Sequence, residues 1–190
     1  MKYLCLLLLS FFLFLSCSSV NDSSDPDMEI GTRIKVFSSC DEIFAIASDI
    51  IYDRTFDDVN SYTGDERDPK FSCTWTETWR PDNPDIFVGS TRIYSVHNLG
   101  KSSREYLTNR EGHTEVVDER LQNSTYSNVL IMKSYSEAMK GQYYSLNVWD
   151  QEGELHRVIA DDLSWAESPS PQLDDAEIVN MFLAMLETVD

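Results

Sequence analysis

Tyr143-Tyr144-Ser145-Leu146-Asn147-Val148-Trp149-Asp150-Gln151-Glu152-Gly153-Glu154-Leu155-His156-Arg157-Val158-Ile159-Ala160-Asp161-Asp162 is the stretch that decides the fold. Tyr144, Leu146 and Val148 alternate onto one face, Asp150-Gln151-Glu152-Gly153 turns the chain, and Leu155 to Ala160 returns. Period-two patterning on both arms, joined by a short Asp- and Gly-containing link, is the mark of a β-hairpin. An antiparallel sheet is therefore the expected framework. Tyr143 and Trp149 fall on the face opposite Leu146 and Val148 and are the candidate ligand contacts. Aromatic side chains on an outer sheet face are common at binding surfaces. Simple packing beneath a second covered face is the competing reading.

Working outward, Phe71-Ser72-Cys73-Thr74-Trp75-Thr76-Glu77-Thr78-Trp79 reads as another strand, with Phe71, Cys73, Trp75 and Trp79 sharing a face. Pro81 and Pro84 mark a turn, and Ile86 to His97 reads as its successor, with Gly89 placed for a bulge. Thr114 to Arg120 and Asn128 to Tyr135 complete the strands. Residues 53–70 are acidic and turn-rich and read as a long loop. Three helices are signalled. Ser39 with Glu42 forms a capping box ahead of Ile43, Ile46, Ala47, Ile50 and Ile51. Ser102 with Glu105 opens a short helix that ends at Gly112. Beyond Ser168-Pro169-Ser170-Pro171, Asp174 caps a last helix whose buried stripe is Ile178, Met181, Phe182, Met185, Leu186 and Val189. The expected fold is α+β: a single antiparallel sheet of about six strands, with an N-terminal and a C-terminal helix packed on one face. No internal repeat stands out, and residues 32–190 read as one domain.

The first residues carry an address rather than a fold. Met1-Lys2-Tyr3 is a minimal positive start, and Leu4 to Leu15 is apolar apart from Cys5 and Ser10. As a helix this run rises about 18 Å, short of the ~30 Å bilayer core, so it suits a signal peptide better than a spanning helix. Phe14-Leu15-Ser16-Cys17 then resembles the lipobox of bacterial lipoproteins. That resemblance implies cleavage after residue 16, two acyl chains on Cys17 (palmitate among them) and a membrane partner reached through lipid. It covers the leader alone; the folded part resembles no family. Ser18 and Ser19, rather than Asp, follow the cysteine, which by the same resemblance favours the outer membrane in a Gram-negative cell. Ser16-Cys17-Ser18 is also a small-x-small triplet, so plain secretion or a soluble periplasmic protein is the alternative. Ser, Asn, Asp and Pro dominate residues 17–31, which read as a flexible, lipidated tether.

Export sets the redox state. Cys5 leaves with the leader and Cys17 takes the lipid, so Cys40 and Cys73 remain, an even count for an oxidising compartment. A disulfide between them is expected to clip the first helix to the sheet. The rival readings are a metal pair or a catalytic thiol, and neither has CxxC spacing or a nearby histidine to support it.

The chain carries 33 acids against 15 bases, a formal charge of -18. Losing residues 1–16 removes one cation, Lys2, and no acid, which leaves -19. Such a surface repels phosphate backbones, so nucleic acid is not an expected partner. The acids Asp53, Asp57, Asp58, Asp65, Glu66 and Asp68 do not follow calcium-loop spacing and read as a solvated loop. His97, His113 and His156 show no metal-ligand spacing, there is no G-x-S-x-G elbow, and no phosphate-binding glycine loop occurs. No catalytic residue, metal or cofactor is nominated. The expectation is an exported, membrane-anchored, non-enzymatic binding or envelope-maintenance domain, with another envelope protein or a glycan as partner. The alternative is an envelope hydrolase, which needs a Ser or Asp within hydrogen-bond reach of a histidine in a cleft.

Overall fold

The computed structural model describes residues 31–51, 54–65, 68–78, 87–97, 99–136, 141–164 and 174–189. The expected leader, Cys17, the expected tether before residue 31, Asp53, Glu66, Trp79, the expected turn at Pro81 and Pro84, and Ser168–Pro171 lie outside them.

Nine strands and three helices occur among the described residues. The strands are β1 (Thr32–Ile34), β2 (Thr55–Asp65), β3 (Asp68–Thr78), β4 (Phe87–Val96), β5 (His113–Glu115), β6 (Val129–Ser136), β7 (Gly141–Trp149), β8 (Leu155–Ser164) and β9 (Leu186–Thr188). The helices are α1 (Cys40–Ile51), α2 (Arg104–Thr108) and α3 (Asp175–Ala184). Seven strands form one antiparallel sheet in the order β2-β3-β4-β8-β7-β6-β5, and β1 pairs with β9 in a separate two-stranded ribbon. The protein is thus mostly β, which corrects the expected α+β fold with one sheet of about six strands and flanking helices.

Two stretches account for the correction. The acidic run after residue 53 is not a loop: residues 55–65 form the edge strand β2. Its alternation is broken because the register slips between Asp57 and Tyr62. Asp57 organises the slip. Its carboxylate accepts from the backbone N–H of Val59 and Asn60 and from the Asn60 amide, while the Ser61 hydroxyl donates to the Asp57 carbonyl. Side-chain bonds of this kind offer the backbone an alternative to the ladder, and a bulged, charged edge resists pairing with another chain. At the other end, the apolar stripe outlasts its helix. α3 ends at Ala184, and Leu186–Thr188 runs as β9 against β1, so Leu186 and Val189 are not helical.

Most other elements form where local chemistry favours them. β7 and β8 pair through Trp149↔Leu155, around a turn built by Asp150, whose carboxylate accepts from the Glu152 and Glu154 N–H groups. Gly153 completes it at φ +77°, a left-handed conformation that suits glycine. α1 is capped by Ser39, whose hydroxyl accepts from Glu42 N–H at 3.4 Å; the Glu42 side chain reaches Ser38 instead of closing the box on Ser39. α2 starts one residue later than expected, with Ser103 accepting from Tyr106 N–H. Thr114–Arg120 is only partly strand: β5 ends at Glu115 and a 3-10 turn spans Glu119–Gln122. The register between β3 and β4 slips beside Gly89.

One core lies between the sheet and the two longer helices. Phe71, Cys73, Trp75, Ile93, Tyr144, Leu146, Val148 and Val158 meet Ile43, Ala47, Ile50 and Ile51 of α1 and Ile178 and Phe182 of α3. Asp175 docks α3 onto the sheet: Lys133 donates to one carboxylate oxygen at 2.5 Å and the Tyr144 hydroxyl to the other at 2.7 Å. Burial would raise the Asp175 pKa, but these bonds outweigh it and hold the carboxyl below its usual range. Burial, then the Asp175 bond, pushes the Tyr144 phenol well up. The opposite sheet face is covered too, by a smaller cluster of Leu107 from α2 with Leu130, Met132, Trp149 and Leu155. Cys40, the first residue of α1, is bonded to Cys73 of β3, with Cα atoms 5.7 Å apart. The expected disulfide is present and joins helix to sheet.

Candidate functional site

A cleft of about 1140 Å³ opens where the β1–β9 ribbon meets the β7–β8 turn. The register creates it. β1 has only three residues, and beside its ladder with β9 one buried side chain ties it to the main sheet. Asn128, fully buried before β6, donates to the carbonyls of Thr32 and Trp149 at 2.8 Å each and accepts from the Thr32 hydroxyl at 3.0 Å. The ribbon is thereby stitched to the end of β7, and Val36 and Phe37, which follow β1, form an apolar wall. Val36 is exposed, while Phe37 is buried and meets Phe71 edge-on at 5.3 Å.

A polar wall faces it. Val96↔Arg157 in the β4–β8 ladder brings the next residues, His97 and His156, together, their Nδ1 atoms 3.1 Å apart. His156 Nε2 lies 2.8 Å from the Asp150 carboxylate. When His156 is neutral it donates from Nε2 to Asp150, so its Nδ1 is an acceptor and His97 must donate from Nδ1. Both ring nitrogens of His156 are then engaged, and the one hydrogen between the imidazoles sets their relative orientation. Burial works to raise the Asp150 carboxyl, yet the bonds from His156 and from the Glu154 and Glu152 N–H groups win and hold it below the ordinary carboxylate range. Arg33 and Glu187, paired at 2.6 Å across β1 and β9, complete the rim. This is a mixed wall of opposite charges, suited to hydrogen-bonding a polar ligand. No group of three or more His, Cys, Asp or Glu side chains is arranged to hold a metal among the described residues.

The nominated contacts separate. Trp149 is buried at 6% exposure, its indole N–H donating to the Ser102 carbonyl at 2.5 Å. It packs in the small second-face cluster with Leu107 of α2, and it also lines the cleft between Val148 and Asp150. Tyr143, near the far end of β7, is half-buried, and its hydroxyl lies 2.5 Å from His113 Nε2. The two aromatics therefore do not form one surface. The His97–His156–Asp150 array was missed because 59 positions separate the histidines, and only the β4–β8 register unites them. The one local signal is Asp150, six residues before His156 in the β7–β8 hairpin.

The class these features define is a disulfide-clipped antiparallel β-sheet domain with a cleft at one end of its central hairpin. Among the described residues no helix is long and apolar enough to cross a membrane. No family model matches the chain, and no curated protein does. Among solved structures it is similar to a protein of Bacteroides thetaiotaomicron, at 17% identity and a TM-score of 0.28, over 69% of this chain and 42% of that one.

Proposed function

We propose that this protein is an exported lipoprotein, tethered through Cys17, whose folded part binds a ligand in the cleft between the β1–β9 ribbon and the β7–β8 turn. The leader and lipobox resemblance supports the tether, and the disulfide fits an oxidising compartment. The observation that carries the binding reading is the cleft itself, of a volume suited to a ligand or peptide segment, with an apolar wall opposite convergent polar groups. An envelope protein or glycan is the partner class that location supplies. The hydrolase reading keeps one observation, the 2.8 Å contact of His156 with Asp150 beside a cleft. It is the weaker reading, because a general base needs a free lone pair and neutral His156 has both nitrogens engaged.

Val36→Glu places a charge on the apolar wall without touching the core, since Val36 is 44% exposed. Pulldowns from envelope extract with wild type are expected to retain a specific protein or glycan that the variant loses. Recovery of the same set by both proteins would count against the cleft as the binding site.

A further inference from the structure

The sheet face turned away from α1 and α3 holds a second, smaller recess of about 30 Å³, room for a single small group and not for a whole ligand. Arg157 of β8 and Arg110, just beyond α2, both line it. Among the described residues Arg33, Arg92, Arg104 and Arg120 each hold a carboxylate within 2.9 Å, and Arg54 donates to the Thr91 hydroxyl. Among the described residues Arg110 and Arg157 hold none. With 33 acids available against 15 bases, two neighbouring guanidiniums without a carboxylate call for an acceptor from outside the chain.

Arg157 is also held in position. Asn147, fully buried, donates its amide to the carbonyls of Leu130 and Ser145, which fixes Oδ1 as the acceptor for Arg157 Nε at 2.6 Å. One edge of the guanidinium is thereby anchored and both Nη groups remain for another acceptor. Burial first, and then the nearby Arg110 charge, pull the Arg157 pKa down, the response of a cation short of counter-charge. His113 Nδ1 contacts the Glu111 carbonyl at 3.1 Å, so neutral His113 accepts the Tyr143 hydroxyl on Nε2. That pair forms a wall of the recess and supplies no free donor. Asp161, four residues along the same strand, is roughly 13 Å away at ~3.3 Å per residue and is engaged with Arg92.

We propose that Arg110 and Arg157 together bind one oxyanion group, a carboxylate, phosphate or sulfate, of a small soluble ligand. Planar guanidiniums take oxyanions in forked hydrogen bonds, and partial burial strengthens such bonds. The recess is enclosed by Leu107, Met132 and Ile159, so it admits a single group and not a bilayer surface.

Inorganic phosphate is the probe, titrated into the purified protein and followed by amide shifts or heat, against chloride at matched ionic strength. Saturable phosphate binding is expected in wild type, weakened about tenfold or more in Arg110→Ala, with Arg110→Lys between them. Arg110 is exposed, so this variant leaves the core intact; Arg157→Gln, in the half-buried position, is expected to lose binding as well. No response to phosphate beyond that to chloride, or wild-type binding in both Arg110→Ala and Arg157→Gln, would overturn the assignment. Arg110-dependent binding to phosphatidylglycerol vesicles, with no response to free phosphate, would overturn it too.

Discussion

Replacing Cys40 and Cys73 together by alanine is expected to lower the unfolding free energy by about 3–4 kcal/mol. The bond closes a 34-residue loop that contains the whole of β2, the edge strand with the interrupted register. Without it the unfolded chain regains the freedom to separate these ends, and the native state loses its covalent clip between α1 and β3. The helix has 12 residues, too few to be stable in water alone, so its position depends on this clip and on Ile43, Ala47, Ile50 and Ile51. Urea unfolding of the oxidised and double-alanine proteins checks the figure. For an m-value of about 2 kcal/mol/M, the midpoint falls by roughly 1.5–2 M. A midpoint that stays in place would mean that packing alone holds α1 on the sheet.

Asn128 is the second position of large effect. Asn128→Leu keeps the approximate size but removes all three side-chain bonds, leaving the Thr32 and Trp149 carbonyls without their amide donor and the Thr32 hydroxyl without its acceptor. Each buried orphan costs about 1–3 kcal/mol, so three cost roughly 3–9 kcal/mol, and the apolar burial added by Leu, about 2 kcal/mol, leaves an expected loss of about 1–7 kcal/mol. The damage is local in origin. Hydrogen exchange is expected to quicken first in the Thr32–Ile34 and Leu186–Thr188 ladder, with the β4–β8 ladder last to respond. Asn128→Asp adds a sign. A carboxylate facing two carbonyls in a buried site has its folded pKa raised above the unfolded value, so the penalty grows as pH rises past the unfolded value near 4. That variant is therefore expected to be less stable at pH 7 than near pH 4, relative to wild type. Equal relative stability at both pH values would show that the carboxylate finds a donor or reaches water, and that the stitch is not what positions the ribbon.

These two positions differ in how far the sequence discloses them. The disulfide is legible because counting suffices: of four cysteines, the two at positions 5 and 17 fall in the proposed leader and lipobox, which leaves a single pair. The β7–β8 hairpin and the Asp174 cap are legible for a related reason, since period-two alternation, an Asp–Gly turn and a cap bonded to Ala176 N–H are all local. Asn128 looks like any polar residue before a strand. Its role exists only because β1 returns from 96 positions away to lie against it. β1 and β9 are three residues each, too short to show alternation, and find each other across the length of the domain. β2 was hidden by chemistry and not by distance: Asp57 diverts the backbone into a side-chain-capped bulge, which erases the period that marks a strand.

The candidate site divides in the same way. Alternation places Tyr143 and Trp149 on a face but does not say what covers it, and α2 packs Leu107 on Trp149 while one side of that residue still lines the cleft. The His97–His156–Asp150 wall depends on β4 pairing with distant β8 on one edge while its sequence neighbour β3 takes the other. The recess at Arg157 depends on Asn147 two positions beyond Ser145 on the adjoining strand, a relation that only the register supplies.

Intact-mass spectrometry of the protein purified from the membranes of its producing cell tests the proposed tether and redox state at once. A chain that begins at Cys17, carries the added mass of acyl chains there, and lacks two hydrogens for the Cys40–Cys73 bond is the expected species. An unprocessed chain starting at Met1, recovered from the cytoplasm with both thiols free, would contradict it.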